Sequence, residues 1–242
     1  MENAIEIKDL CVVFSSEKKT VAALDRLNLS VPVGQVFGFL GPNGAGKTTT
    51  MHVLLGFISA TSGEARIFGT DVRESIARQR IGYLQEHPDT YRFLTGRELL
   101  SMTGRLFRIT GNQLRGRIDE ILDQVGMKDA ADRRIATYSR GMMQRICLAQ
   151  ALINDPDLVI LDEPTSGLDP IGRMEIRKII TDLRNRGKTV FFSSHELSEV
   201  ELVCDHLAIL SKGHLVAQGP RSEIIPPGEN LEQYFMKAVS NK

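Results

Sequence analysis

The sequence predicts a doubly wound α/β core carrying an inserted helical lobe and a β-rich N-terminal part. Three observations predict it. "LVIL" (158–161), "TVFFSS" (189–194) and "HLAIL" (206–210) are nearly continuous apolar runs, as in parallel strands covered on both faces. A charged helical stretch, Ile171 to Arg186, separates the first two, and strand-helix-strand order implies right-handed crossovers. The chain from about Thr95 to Ala151 reads as helix, so it is an insertion.

The elements follow in order. Short apolar stretches, Ile5 to Phe14, Val21 to Val31 and Val36 to Leu40, read as strands and hairpins, with Pro32 and Gly34 between the last two. "TTTMHVLLGF" reads as a helix after the third strand. Thr95 and Glu98 have capping-box spacing ahead of "LLSMTGRLF". Gly111 and Gly126 bracket the helix "NQLRGRIDEILDQV". The tail from Pro220 reads as a short helix and a peripheral end.

Length and composition bound the function. The 242 residues supply one sizeable core, or a core with an appended lobe. Thirty basic residues balance thirty acidic ones, so bulk charge offers nothing to nucleic acid, and no nucleic-acid partner is expected. No apolar run approaches the roughly 20 residues that cross a bilayer, and "MENAIEIKD" lacks a secretory pattern. Cys11, Cys147 and Cys204 lie far apart and suit a reducing compartment. A cytoplasmic protein is expected; any membrane part would belong to a partner.

The chemistry begins at Gly41-Pro42-Asn43-Gly44-Ala45-Gly46-Lys47-Thr48, a full G-x-x-x-x-G-K-[ST] match between a strand and a helix. Glycines let successive N–H groups turn inward on phosphate oxygens, and the helix behind presents its positive end. Lys47 reaches the β and γ phosphates as a point charge; Thr48 can ligate Mg²⁺ and Thr49 can add a phosphate contact. Gly187-Lys188-Thr189 repeats the ending, but residue 182 is Asp and a strand follows, so it is discarded. "LVILDEP" ends its strand with Asp162 and Glu163, where ligands gather beyond carboxyl ends of strands. Asp162 is placed to hold Mg²⁺ through water and Glu163 to polarise an attacking water. His195 in "SSHE" follows another strand and can face the γ-phosphate, with Ser193 and Glu196 at capping-box spacing.

Together the ordered segments "GPNGAGKTT", "YLQEHP", "YSRGMMQR", "LVILDEP", "SGLD" and "SSH" make the chain resemble the nucleotide-binding subunit of an ABC transporter, in a bacterial ABC-2-type, multidrug-exporter-like branch. The resemblance implies a P-loop NTPase (RecA-like) fold: a parallel-sheet core, an N-terminal antiparallel β subdomain and an inserted α-helical lobe. It covers 1–220 as a single ABC ATPase domain, with the lobe at about 89–150, and leaves 221–242 as a short C-terminal extension. It implies an ATPase using ATP and Mg²⁺, a second copy or paralogous ATPase subunit, and a multi-span membrane permease contacted through the 85–100 loop. It also implies a peripheral place on the inner face of the cell membrane, and export. Two cassettes stack head to tail in this family, so the resemblance places Ser139 and Gly141 over the ATP of the partner copy. Taken alone, Ser139 is an N-cap starting the helix "GMMQRICLAQALI".

Departures from the family pattern leave alternatives open. The common signature is Leu-Ser-Gly-Gly-Gln, and here Tyr138, Arg140 and Met142 replace its first, third and fifth residues. Either Gln85 or Glu86 fills the glutamine-loop position that senses Mg²⁺. Phe14 matches an adenine-stacking aromatic, or is a core-facing strand residue. The rival class is a soluble ABC-type ATPase acting on ribosomes or DNA, which usually carries two cassettes or long coiled coils. A P-loop kinase or GTPase is a poorer fit, since no Asn-Lys-x-Asp motif is present.

Overall fold

The computed structural model describes residues 2–16, 19–226 and 228–240. The extension expected over 221–242 therefore lies within them apart from 227, 241 and 242.

The ten strands of the described residues form two sheets. The first is antiparallel, with order β2-β1-β4-β5, and is built from β1 (Asn3–Ser16), β2 (Lys19–Pro32), β4 (Ser62–Ile67) and β5 (Thr70–Asp71). The second contains β3 (Val36–Leu40), β6 (Ile81–Leu84), β7 (Leu158–Leu161), β8 (Thr189–Ser194), β9 (His206–Ser211) and β10 (His214–Pro220), in the order β10-β9-β3-β8-β7-β6. Four of its five pairings are parallel; the fifth, at one edge, is antiparallel, where β10 runs back along β9. The antiparallel edge strand, and β4 to β6, add to the strands read from the sequence.

The second sheet is the wall between two apolar clusters, as strand periodicity requires. Val36 and Leu40 of β3, Val159 and Leu161 of β7, and Val190 and Phe192 of β8 face one side with Leu99, Ile121 and Ile146. Phe37 and Phe39, Leu158 and Ile160, and Phe191 face the other with Leu24, Met51 and Ile5. The first side carries α2 (Gly96–Leu106), α3 (Gly111–Gln124), α4 (Arg140–Leu152) and α5 (Pro170–Asn185); the second carries α1 (Lys47–Leu54) and the antiparallel sheet. The expected capping box is present: Thr95 accepts from the Glu98 N–H while Glu98 accepts from the Thr95 N–H. Beyond β8 come α6 (Leu197–Val203), then α7 (Arg221–Ile224) and α8 (Leu231–Ser240), the last packed against α6, β9 and β10. Among the described residues no helix is long and apolar enough to cross a membrane.

This order puts the carboxyl ends of β3, β8, β7 and β6 side by side. The segments that follow them are the phosphate loop, His195, the Asp162–Glu163 pair and the Gln85–Glu86 pair.

Candidate nucleotide site

At the end of β3 the chain turns through Gly44 (φ 78°) and Gly46 (φ 109°), left-handed conformations that favour glycine. A Cβ on Gly46 would also lie 2.8 Å from the Ala23 carbonyl oxygen of β2. The Ala45 N–H donates to the Pro42 carbonyl at 3.1 Å, closing the loop before α1 starts at Lys47. Lys47 is folded back into this loop: its Nζ donates to the Gly41 carbonyl at 2.7 Å and the Pro42 carbonyl at 3.4 Å. It is only 7% exposed. Burial lowers its pKa below the ordinary lysine value, opposed by the charges of Glu163, Asp162 and Glu86. A desolvated cation aimed into a cleft has unmet electrostatic demand, which a phosphate satisfies.

The carboxylates sit opposite. Thr48 Oγ1 donates to Asp162 Oδ2 at 3.2 Å, and Ser193 Oγ donates to Asp162 Oδ1 at 2.5 Å. The same Ser193 oxygen accepts the Glu163 N–H at 2.9 Å, welding the end of β7 to β8. Glu163 has φ 49°, a left-handed conformation rare for glutamate, of the kind found at functional sites. One of its oxygens lies 3.9 Å from Lys47 Nζ; the other is 2.8 Å from His195 Nδ1 and accepts the His195 N–H at 3.3 Å. With Nδ1 engaged by Glu163, Nε2 lies on the far side of the ring from the carboxylate.

The site is a cleft of about 350 Å³ lined by Asn43 through Thr49, Glu86, Asp162, Glu163 and His195, closed on one side by Val21, Ala22 and Ala23 of β2. Glu86 faces this cleft, whereas Gln85 is exposed and donates to the His87 carbonyl at 3.0 Å. Phe14 is 48% exposed, cross-strand from Val21, and so does not face the core. Ser139 and Gly141 are not among the lining residues. Ser139 borders a separate depression with Tyr138, Arg140 and Glu86, and caps α4 by accepting from the Met142 N–H at 3.3 Å.

The replaced signature residues have identifiable partners. The Tyr138 hydroxyl donates to the Ala130 carbonyl at 2.7 Å, anchoring the turn before α4. Arg140 donates to the Ser166 carbonyl at 2.9 Å, and Gln144, one turn on, donates to the Pro164 carbonyl at 2.8 Å. The start of α4 is thus tied to the segment directly after Glu163.

One sequence expectation is corrected. Ser193 and Glu196 do not form a capping box, because Ser193 is taken by Asp162 and Glu163. Ser194 performs the local task, accepting the Glu196 N–H at 2.9 Å, and α6 starts at Leu197. Sequence reasoning also missed Ser193 as a site residue and the β2 wall. Only the strand-end position of Ser193, shared with the acidic pair, could have pointed to it.

Thr48 and Asp162 suit a hard cation, but they are few. Among the described residues no group of three or more His, Cys, Asp or Glu side chains is placed to hold a metal. An ion held by so few protein groups would take most of its ligands from phosphate and water, which is the habit of Mg²⁺.

A family model described as "ABC transporter" matches residues 24–166. An uncharacterised ABC transporter ATP-binding protein of Nostoc sp. is 49% identical over 85% of this chain and 62% of its own length. The bacitracin transport ATP-binding protein BcrA of Bacillus licheniformis is 43% identical over 91% of this chain and 71% of its own. A solved ATP-binding subunit of an ABC transporter superposes with TM-score 0.87 at 25% identity, covering 97% of this chain and 99% of that one. The chain spans about two thirds of the length of the curated relatives it matches first.

Proposed function

Since the chain belongs to the ABC transporter family, we propose that it is an ATP-binding and ATP-hydrolysing subunit that pairs with a second copy or a paralogue and drives a separate membrane permease in export. The observation that carries the reading is the meeting, in one cleft, of a buried Lys47, the Thr48–Asp162 pair and a Glu163 held by His195.

In this reading the inward N–H groups from Asn43 to Thr49 and the Lys47 ammonium hold the triphosphate of ATP. Thr48 and Asp162 hold Mg²⁺, which when bound neutralises charge on the phosphate oxygens; Glu86, facing the cleft, is the better placed of the Gln85–Glu86 pair to contact its water. Glu163 orients and polarises the attacking water, and its fixed bonds to His195 keep it in line. His195 presents Nε2 towards the γ-phosphate. Phe14, exposed beside the β2 wall, stacks on adenine. Ser139 and Gly141 stand outside the cleft and serve the site of the partner copy, where a Ser hydroxyl, a glycine N–H and a helix start make a second anion cradle. The subunit then works as a peripheral protein on the inner membrane face, and residues 221–242 are an extension of the 1–220 domain.

The test is Glu163→Gln with Mg·ATP. Removing a positioned base costs about 10²–10⁴-fold in turnover while the phosphate contacts stay. A dimer with bound ATP is expected on gel filtration. A variant that stays monomeric, or turns over at the parental rate, contradicts the reading; retention on ribosomes or DNA would point to the soluble class instead.

A further inference from the structure

We propose that Arg173 is a positioning residue for hydrolysis: it joins the Ser166–Asp169 turn to the His195–Glu163 pair, so that a disturbance at the turn is felt at the attacking water. The inference rests on the reading of Glu163 and His195 given above.

The sequence puts Arg173 one turn into α5, just after the Asp169 N-cap, whose carboxylate accepts the Gly172 N–H at 2.8 Å. From there the guanidinium makes two bonds at once. Its Nε donates to the Leu168 carbonyl at 3.0 Å, inside the turn. Its Nη1 pairs closely with a carboxylate oxygen of Glu196, the residue after His195. Glu196 is in turn fixed through its backbone, since its N–H donates to Ser194 Oγ. The His195 backbone between these anchors is therefore held from both sides, and its ring and N–H both rest on Glu163. The Ser166 N–H donates to the Glu163 carbonyl at 3.1 Å, so turn, acid and histidine form a closed circuit.

A second ion pair supplies the comparison. Arg177, one helical turn along α5, donates to both oxygens of the buried Glu199 on α6 at 2.8 and 2.9 Å. This rung fastens α5 to α6 itself, where the Arg173 pair reaches the residue just before α6, and it touches neither the turn nor the residues flanking His195. If the rungs merely held α5 to α6, removing either would have the same effect. Arg173 uses its planar fork to serve a carbonyl and a carboxylate together, which a lysine ammonium on its single stem does less well.

The experiment uses the full chain and compares Arg173→Met, Arg173→Lys and Arg177→Met. Arg173→Met should lower kcat for ATP by about 10- to 100-fold with KM changed by less than about twofold, the mark of lost alignment rather than lost binding. Arg173→Lys should fall between it and the parent; Arg177→Met should keep kcat within about twofold while lowering Tm. If Arg173→Met does not fold, Glu196→Gln, which keeps shape and removes the charge, should show the same kcat-specific loss. The imidazole ¹⁵N resonances of His195 should move in Arg173→Met and stay in place in Arg177→Met. Equal kcat losses at Arg173 and Arg177, a KM effect as large as the kcat effect, or unmoved His195 resonances would overturn the proposal. Should the parent protein show no turnover, the reading of the site fails by that result, and the His195 resonances still decide the role of Arg173.

Discussion

Three residues show how burial sets chemistry one side chain at a time. Burial, and then the charge of Asp89, push the Cys147 thiol up to about 12; burial, and then Asp162, push the Tyr83 hydroxyl to about 12 as well. Unfolded, these groups titrate at their ordinary values of 9.0 and 10.0. Between those values and about 12 the unfolded chain sheds protons that the folded chain keeps, so stability falls as pH rises. Lys47 acts in the opposite sense, because its lowered pKa makes the folded chain release a proton before the unfolded one. Thermal unfolding of parent and Cys147→Ala across this alkaline range isolates the thiol. The parent should lose Tm more steeply than the variant as pH climbs past 9.0, the ordinary value of a thiol. Parallel curves would mean that Cys147 ionises freely in the folded protein.

At the scale of elements, legibility in the sequence followed locality. β7, β8 and β9 are buried on both faces, so they announce themselves as unbroken apolar runs. The capping box of α2 was readable because Thr95 and Glu98 are three residues apart and depend on nothing else. The phosphate loop, acidic pair and histidine were readable because the strand ends impose them. β4 was not: in "SGEARI" only Ala65 and Ile67 are buried, which leaves no apolar run. The Ser193 cap failed because a tertiary bond to Asp162 outcompetes a local one. The bonds from Arg173 to Glu196 and from Arg140 to Ser166 cross elements, and no spacing rule encodes them. β6 carries a further packing signal. A Cβ on Gly82 would lie 2.2 Å from the Ala151 carbonyl oxygen and 2.9 Å from the Pro156 ring. Gly82→Ala should therefore push α4 off the sheet and destabilise by about 1–3 kcal/mol in urea unfolding. A change below a few tenths of a kcal/mol would show that α4 yields freely at that contact.

At the scale of the whole molecule, the central claim is that one chain owns only part of each hydrolytic centre. The cleft holds Lys47, Asp162, Glu163 and His195, while Ser139 borders a different depression. In the proposed pairing a second copy brings its own Ser139 to the first copy's phosphates, in both directions at once. The most direct measurement mixes two disabled full-length variants before adding Mg·ATP. Glu163→Gln lacks the base but retains the cradle, whereas Ser139→Glu retains the base but repels phosphate. Each alone should be nearly inactive. In a mixed pair one centre has both its base and its cradle intact, so the mixture should recover about a quarter of parental turnover at equal proportions, half of the pairs being mixed with one working centre in each. Turnover no greater than the sum of the two separate variants would contradict the account.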